Sequence, residues 1–372
     1  MRYLNLIVLS LMMQPAFAQT QLPVIKATSK KVSIRDGAFF DKDRWTLTPS
    51  ARPDIFTADR TRETKYVTFY TDIDSIRVKV TPGTRFNFVI LYNGKDSCYT
   101  QIASVIPPDE GKNGIAKDDT IPFTLTKYNT IAIKAIINST DTINMHFDCG
   151  SFGFYFTKDA VTKDPKLKKV ATLQLGSITW HDPEIHSSSV TAHDMDGKIG
   201  YSVFDGKYVE IDNDKGLLII HSQQPGNLHS YKKLKLEFIR SFVCLKGDIQ
   251  IQSKNYIGDF LMDTGSDQAM IIDSTWAAGQ GFPKDLKIIK TTALYDPRGK
   301  KYESHIVNVP ALKFNAFAFN NVSVLTLGSD QHPVGLPINY LGNGLLKRFN
   351  IVFDFRNDYV YLKPDRLMNI AF

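Results

Sequence analysis

Phe260-Leu261-Met262-Asp263-Thr264-Gly265-Ser266, which resumes as Ala269-Met270-Ile271-Ile272, is an apolar run interrupted by one carboxylate on a short turn. It reads as a buried strand, an acidic turn and a second strand. Gly265 permits a backbone approach where a side chain would collide with a facing loop. The hydroxyls of Thr264 and Ser266 are donors, and a donor to a carboxylate favours its charged form. Alone, the four-residue turn is a weak signal. A second copy strengthens it, because Met145-His146-Phe147-Asp148-Cys149-Gly150-Ser151 precedes Phe154-Tyr155-Phe156 in the same arrangement. Two aspartates brought together by two such loops can share one proton, since neighbouring like charges resist ionising together.

The ends of the two halves match as well. Gly200-Tyr201-Ser202-Val203-Phe204-Asp205-Gly206-Lys207-Tyr208-Val209-Glu210-Ile211-Asp212 can be laid without a gap on Gly342-Asn343-Gly344-Leu345-Leu346-Lys347-Arg348-Phe349-Asn350-Ile351-Val352-Phe353-Asp354. Both run on into an apolar strand, Leu217–Ile220 and Tyr359–Leu362. A common acid loop and a common ending imply two lobes of one architecture.

These residues resemble the pepsin-like and retropepsin-like aspartic proteases. There an acid loop is followed by an apolar-apolar-Gly element packed against it, a short helix and a closing strand pair. Lys198-Ile199-Gly200 and Tyr340-Leu341-Gly342 match that element, the first with Lys198 in an apolar place. The run from Leu341 to Phe349, followed by Phe353-Asp354-Phe355, is especially similar to bacterial retropepsin-like domains. The resemblance covers residues 121–365 and implies an all-β, bilobal acid-protease fold preceded by a small β domain. It further implies an aspartic endopeptidase acting on a peptide or protein substrate, with no cofactor and no metal. Asp148 and Asp263 would be the catalytic pair, supported by Cys149, Gly150, Ser151, Thr264, Gly265 and Ser266.

Departures from the pattern bear on activity. Cys149 stands where the family has Thr, and a thiol is a weak donor, so the hydrogen-bonded grip between the loops should be looser. Phe152 and Gly153 replace the usual continuation. The first lobe has little room for a substrate-covering hairpin between Thr157 and Lys169. The second offers Thr291–Tyr295, the turn Asp296-Pro297-Arg298-Gly299 and Tyr302–Val309, which would place Tyr295 near the substrate. Two alternatives stay open: a pseudoprotease that binds extended peptide by strand addition, and a protease that pairs Asp263 between two chains.

The rest of the sequence sets the frame. With 372 residues and 43% apolar content, the chain can form two or three domains with cores. Arg2, the apolar run Leu4–Met13 and Pro15-Ala16-Phe17-Ala18 have the form of an export signal over residues 1–18, so a periplasmic or secreted protein is expected. Residues 24–106 alternate with a period of two and read as an amino-terminal β domain. A linker is expected over 107–120, a first lobe over 121–222 and a second over 235–365. No later run is long enough for a transmembrane segment. The net charge of +7 is scattered, which gives no sign of nucleic-acid binding.

Three cysteines, Cys98, Cys149 and Cys244, are too few for a disulfide framework and are read as buried thiols, with a Cys98–Cys244 pair as the alternative. His181, His186 and His193, near Asp182 and Glu184, fit no zinc spacing and read as a polar loop. Asp72 and Asp74 read as a polar turn. Lys158–Lys169 is expected to be a loop, and Val170–Trp180 and Glu184–Val190 to be strands. A monomer is expected, with a homodimer as the alternative.

Overall fold

The structure, a computed structural model, describes residues 21–106, 118–188, 194–251, 253–295, 301–328, 332 and 335–372. The expected export signal, most of the expected linker, His193 and the turn Asp296–Gly299 lie outside the described residues. The fold is all-β apart from a few short helices. The described residues form two compact units, one of 21–56 with 66–79 and 85–103, the other of 57–65, 80–84 and those from 104 onward.

In the first unit, β1 (Val24–Ala27), β2 (Lys31–Asp36), β3 (Phe39–Thr46), β4 (Asp54–Ala58), β5 (Lys65–Tyr70), β6 (Ser75–Val80), β7 (Arg85–Tyr92) and β8 (Asp96–Ser104) make two four-stranded sheets, ordered β1-β7-β8-β4 and β3-β2-β5-β6. Alternation sends Val32, Ile34, Val67 and Phe69 inward. Phe69 meets Phe56 and Phe88 edge-on, with ring centroids 5.5 and 5.4 Å away. Asn93 and Gly94, both at positive φ (50° and 66°), form the tight turn from β7 to β8. Asp72 and Asp74 accept hydrogen bonds from the backbone amides of Thr28 and Lys26, at 2.9 and 3.2 Å.

The second unit is built from a repeated order of elements. After β9 (Asp119–Pro122) and β10 (Thr124–Leu125), the first copy runs β11 (Ile131–Ile137), β12 (Asp141–Asp148), β13 (Phe154–Thr157), α1 (Lys158–Lys163), β14 (Thr172–Leu175), β15 (Ile178–His181), β16 (Ile185–Ser188), β17 (Gly197–Gly200), β18 (Tyr208–Asp212) and β19 (Leu217–His221). Following β20 (Lys232–Ile239), the second runs β21 (Phe242–Ile251), β22 (Lys254–Asp263), β23 (Met270–Ile272), α2 (Ser274–Gln280), β24 (Ile288–Tyr295), β25 (Lys301–Phe314), β26 (Phe317–Leu327), β27 (Asn339–Gly342), α3 (Asn343–Leu346), β28 (Phe349–Asp354) and β29 (Tyr359–Pro364). The sheet orders correspond: β11-β12-β17-β13-β16 and β21-β22-β27-β23-β26. Within each, the strand leading into the acid pairs in parallel with the strand that ends in glycine. A six-strand path, β20-β29-β28-β18-β19-β9, joins the copies edge to edge.

One buried cluster runs through both copies and includes Phe147, Ile199, Phe204, Met262, Leu341 and Phe353. Each such side chain contributes about 1.5–3 kcal/mol by leaving water. Segment 57–65 belongs with this unit because Arg60, lying 3.7 Å over the Phe238 ring, pairs with Asp205 at 2.6 Å and Asp358 at 2.9 Å. Cys98, Cys149 and Cys244 are buried and free.

Two local expectations are corrected. Lys158–Lys169 is not a plain loop but α1 followed by a 3-10 turn over Pro165–Lys168. Thr157 caps α1 by accepting from the Ala160 amide at 3.0 Å, and Asp164 with Pro165 starts the second turn. Val170–Trp180 is not one strand but the hairpin β14–β15, which bends at Gly176 with φ of 58°.

Candidate active site

Asp148 and Asp263 occupy the same place in the two copies, at the last position of β12 and β22. Gly200 lies opposite Asp148 in the register of β12 with β17, and Gly342 lies opposite Asp263 in that of β22 with β27. Each carboxylate accepts from the amide two residues on: Gly150 N reaches Asp148 Oδ1 at 2.9 Å, and Gly265 N reaches Asp263 Oδ1 at 3.0 Å. The Tyr201 and Asn343 amides, just past each glycine strand, hold the Ser151 and Ser266 carbonyls at 3.0 and 2.8 Å.

The loops face one another. A Cβ placed on Gly265 would lie 2.8 Å from Asp148 Cγ, and one on Gly150 would lie 2.9 Å from Asp263 Oδ1. A side chain at either place would have to displace the opposing carboxyl, which fills that space. The two carboxyls come from sequence positions 148 and 263 of one chain and interact directly.

Backbone and side-chain bonds cross between the loops. Thr264 Oγ1 accepts from Cys149 N and donates to Phe147 O, each at 3.0 Å. Cys149 Sγ donates to Met262 O at 3.1 Å, the counterpart of the Thr264 bond with sulfur in place of oxygen. Burial pushes the Cys149 thiol far above its ordinary range, so it stays a neutral donor. The Thr264 hydroxyl is therefore committed to a carbonyl and is not a donor to either carboxylate. Ser266 Oγ accepts from Gln268 N at 3.3 Å.

The group that acts on a carboxylate is Lys198. Its Nζ lies 3.0 Å from Asp148 Oδ2, on side chains 11% and 7% exposed, and 5.1 Å from the centre of the Tyr155 ring. Burial pushes Asp148 up, but the Lys198 ammonium, the His146 ring and the Gly150 amide outweigh it and leave Asp148 below the ordinary carboxylate range. For Lys198, burial works against the charge and the Asp148 carboxylate more than offsets it. Asp263 is pushed up to about 7, first by burial and then by the charge of Asp148, with Lys198 and the Gly265 amide opposing. Between the two values, below about 7, one carboxyl is ionised and the other protonated, the state that can both take and give a proton.

The other sequence candidates lie as follows. Phe152 packs against Tyr201 and Phe242, with centroids 6.2 and 5.2 Å away, and the Gly153 amide donates to Ser202 Oγ at 2.8 Å. Tyr295 is the last residue of β24, opposite Lys301 in a hairpin whose strands run Ile288–Tyr295 and Lys301–Phe314. The His186 ring lies 5.2 Å from the Tyr155 ring, centre to centre, tilted by 39°, and 3.6 Å from Glu184. In the sequence Lys198 stands out only as a poor match to an apolar position. The sequence aligns it with Tyr340, but its reach to Asp148 depends on the β12–β17 register, which sets it opposite His146, two residues before Asp148.

Neither a protein-family model nor a curated protein sequence matches this chain. Among the described residues no helix is long and apolar enough to cross a membrane.

Proposed function

We propose that the second unit is a pepsin- or retropepsin-like aspartic peptidase that hydrolyses a peptide bond held between Asp148 and Asp263. The observation that carries this reading is the reciprocal seating of the acid loops, each glycine lying over the other loop's carboxyl. A water between the carboxyls gives a proton to the ionised one as its oxygen attacks the peptide carbonyl, while the protonated one gives its proton to the carbonyl oxygen. The resulting diol collapses when the newly protonated carboxyl passes its proton to the leaving nitrogen and the diol returns one to the other. Both carboxyls are then as they began.

Both loops belong to one chain, which supports a working monomer over pairing Asp263 between two chains. In this reading the hairpin β24–β25 covers an extended peptide or protein substrate, with Tyr295 near its tip. Residues 1–18 direct export, so the exported protein should begin near Gln19; intact Met1 in a soluble cytoplasmic fraction would contradict that.

The Lys198–Asp148 ion pair favours a second reading, a pseudoprotease, because it offsets the negative charge of the pair and makes Asp148 a weaker base. A broad peptide library, incubated from acid to neutral pH, separates the two. Cleavage is expected. Binding without cleavage at any pH would make the protein a peptide-binding module.

A further inference from the structure

The internal repeat supplies a control for the surroundings of each acid. Beside the Asp263 loop, Leu261 and Ile271 lie opposite Tyr340, and Ile271 lies opposite Leu325. These four pack in one hydrophobic cluster. In the first copy the same registers put His146 and Tyr155 opposite Lys198, and His186 opposite Tyr155. Hydrophobic side chains suffice for strand packing at these positions in the second copy. The first has two histidines, a tyrosine and a lysine where the second has three aliphatic side chains and Tyr340, and the lysine, in the place of Tyr340, aims a buried ammonium at Asp148. Desolvating an ammonium is costly unless a partner repays it, so packing alone gives no reason for Lys198.

We propose, on the reading of this site as hydrolytic, that Lys198 is a positioning residue: its ammonium, 3.0 Å from Asp148 Oδ2, keeps Asp148 the carboxylate and so makes Asp148 the base and Asp263 the acid. The groups facing it are Asp148 and His146 from β12, Tyr155 from β13 and Asp263 from the opposite loop, with His186 and Glu184 behind Tyr155. A fixed positive charge favours the ionised form of both carboxyls. Hydrolysis requires Asp148 charged and Asp263 protonated, so its window opens below the ordinary carboxylate range and closes near the value of about 7 held by Asp263.

The test reads the carboxyls and the rate separately. Infrared difference spectra of the protonated-carboxyl stretch, comparing Asp263→Asn with Asp148→Asn/Asp263→Asn, follow Asp148 alone. Asp148 should titrate below the ordinary aspartate value of about 3.9, rise by about one unit or more on Lys198→Met, and stay low on Lys198→Arg, which keeps the charge. With both aspartates present, Lys198→Met should move both limbs of the pH–rate profile upward, and Lys198→Arg should bring them back towards wild type. A profile unmoved by Lys198→Met overturns the proposal. So does an Asp148 that titrates at or above the ordinary value with Lys198 in place, a result that needs no variant at position 198 if Lys198→Met does not fold. Should the wild type cleave nothing while Asp148 titrates low and follows Lys198, the hydrolytic reading and the role of base are overturned, and the control of Asp148 protonation is upheld.

Discussion

Asp263 carries a pH-dependent stability cost. Its folded value of about 7 lies above the ordinary aspartate value, so between the two the folded chain binds more protons than the unfolded one. Stability from this group is full at low pH and falls as pH rises through that window. Asp263→Asn removes the titration, so it should stabilise the protein by on the order of 2–4 kcal/mol more at pH 8 than at pH 4; urea unfolding at the two pH values measures it, and an equal effect at both would contradict the assignment. Thr264 presents a separate case, because its buried hydroxyl serves the Cys149 amide and the Phe147 carbonyl at once. Thr264→Val keeps the shape and strands both groups, at a cost of about 2–4 kcal/mol, whereas Thr264→Ser should recover most of it. The acids and glycines were legible in the sequence because a shared proton and a close approach leave few other residue types. The grip of Thr264 on the facing loop is legible too, from the resemblance, but its particular partners, the Cys149 amide and the Phe147 carbonyl, and the place of Lys198 beside Asp148 are not, because they depend on register across strands far apart in the chain.

The strands were legible where alternation and turn chemistry agreed, as in β7–β8 around Asn93-Gly94 and β24–β25 as a long hairpin. Short capped turns were not, since α1 has no apolar period long enough to outweigh its charged, proline-broken sequence, and its start is fixed by the Thr157 side chain alone. A similar local device closes the chain. Arg348, 1% exposed, donates to the carbonyls of Leu367 at 2.8 Å and Ala371 at 3.1 Å and lies 3.7 Å from the Phe372 ring centre. Arg348→Met should therefore release the last residues after β29 and cost about 2–3 kcal/mol, as several charge-assisted bonds are lost while the freed carbonyls regain water. Limited proteolysis should then cut after Asp365 well before the rest of the second unit; unchanged resistance would count against this role.

At the scale of the molecule, the two copies of the second unit share one core and one six-stranded path, so the acid loops are set by the same framework. The gap-free match of residues 200–212 with 342–354 made this repeat visible in the sequence, because each segment runs from the glycine that ends its strand through a short helical turn into the first closing strand. The hairpins that distinguish the copies, Thr172–His181 and Ile288–Phe314, gave no common pattern, being of different length. That framework sets the Asp148 loop against the Asp263 loop. The most direct test is the rate of peptide hydrolysis by Asp148→Asn and by Asp263→Asn, each folded by circular dichroism and assayed over a dilution series. Each variant should lose at least about 10²–10⁴-fold in rate, and the wild-type specific activity should not change on dilution. A folded Asp148→Asn that keeps the wild-type rate, or a wild-type specific activity that falls as the protein is diluted, would contradict an intramolecular pair.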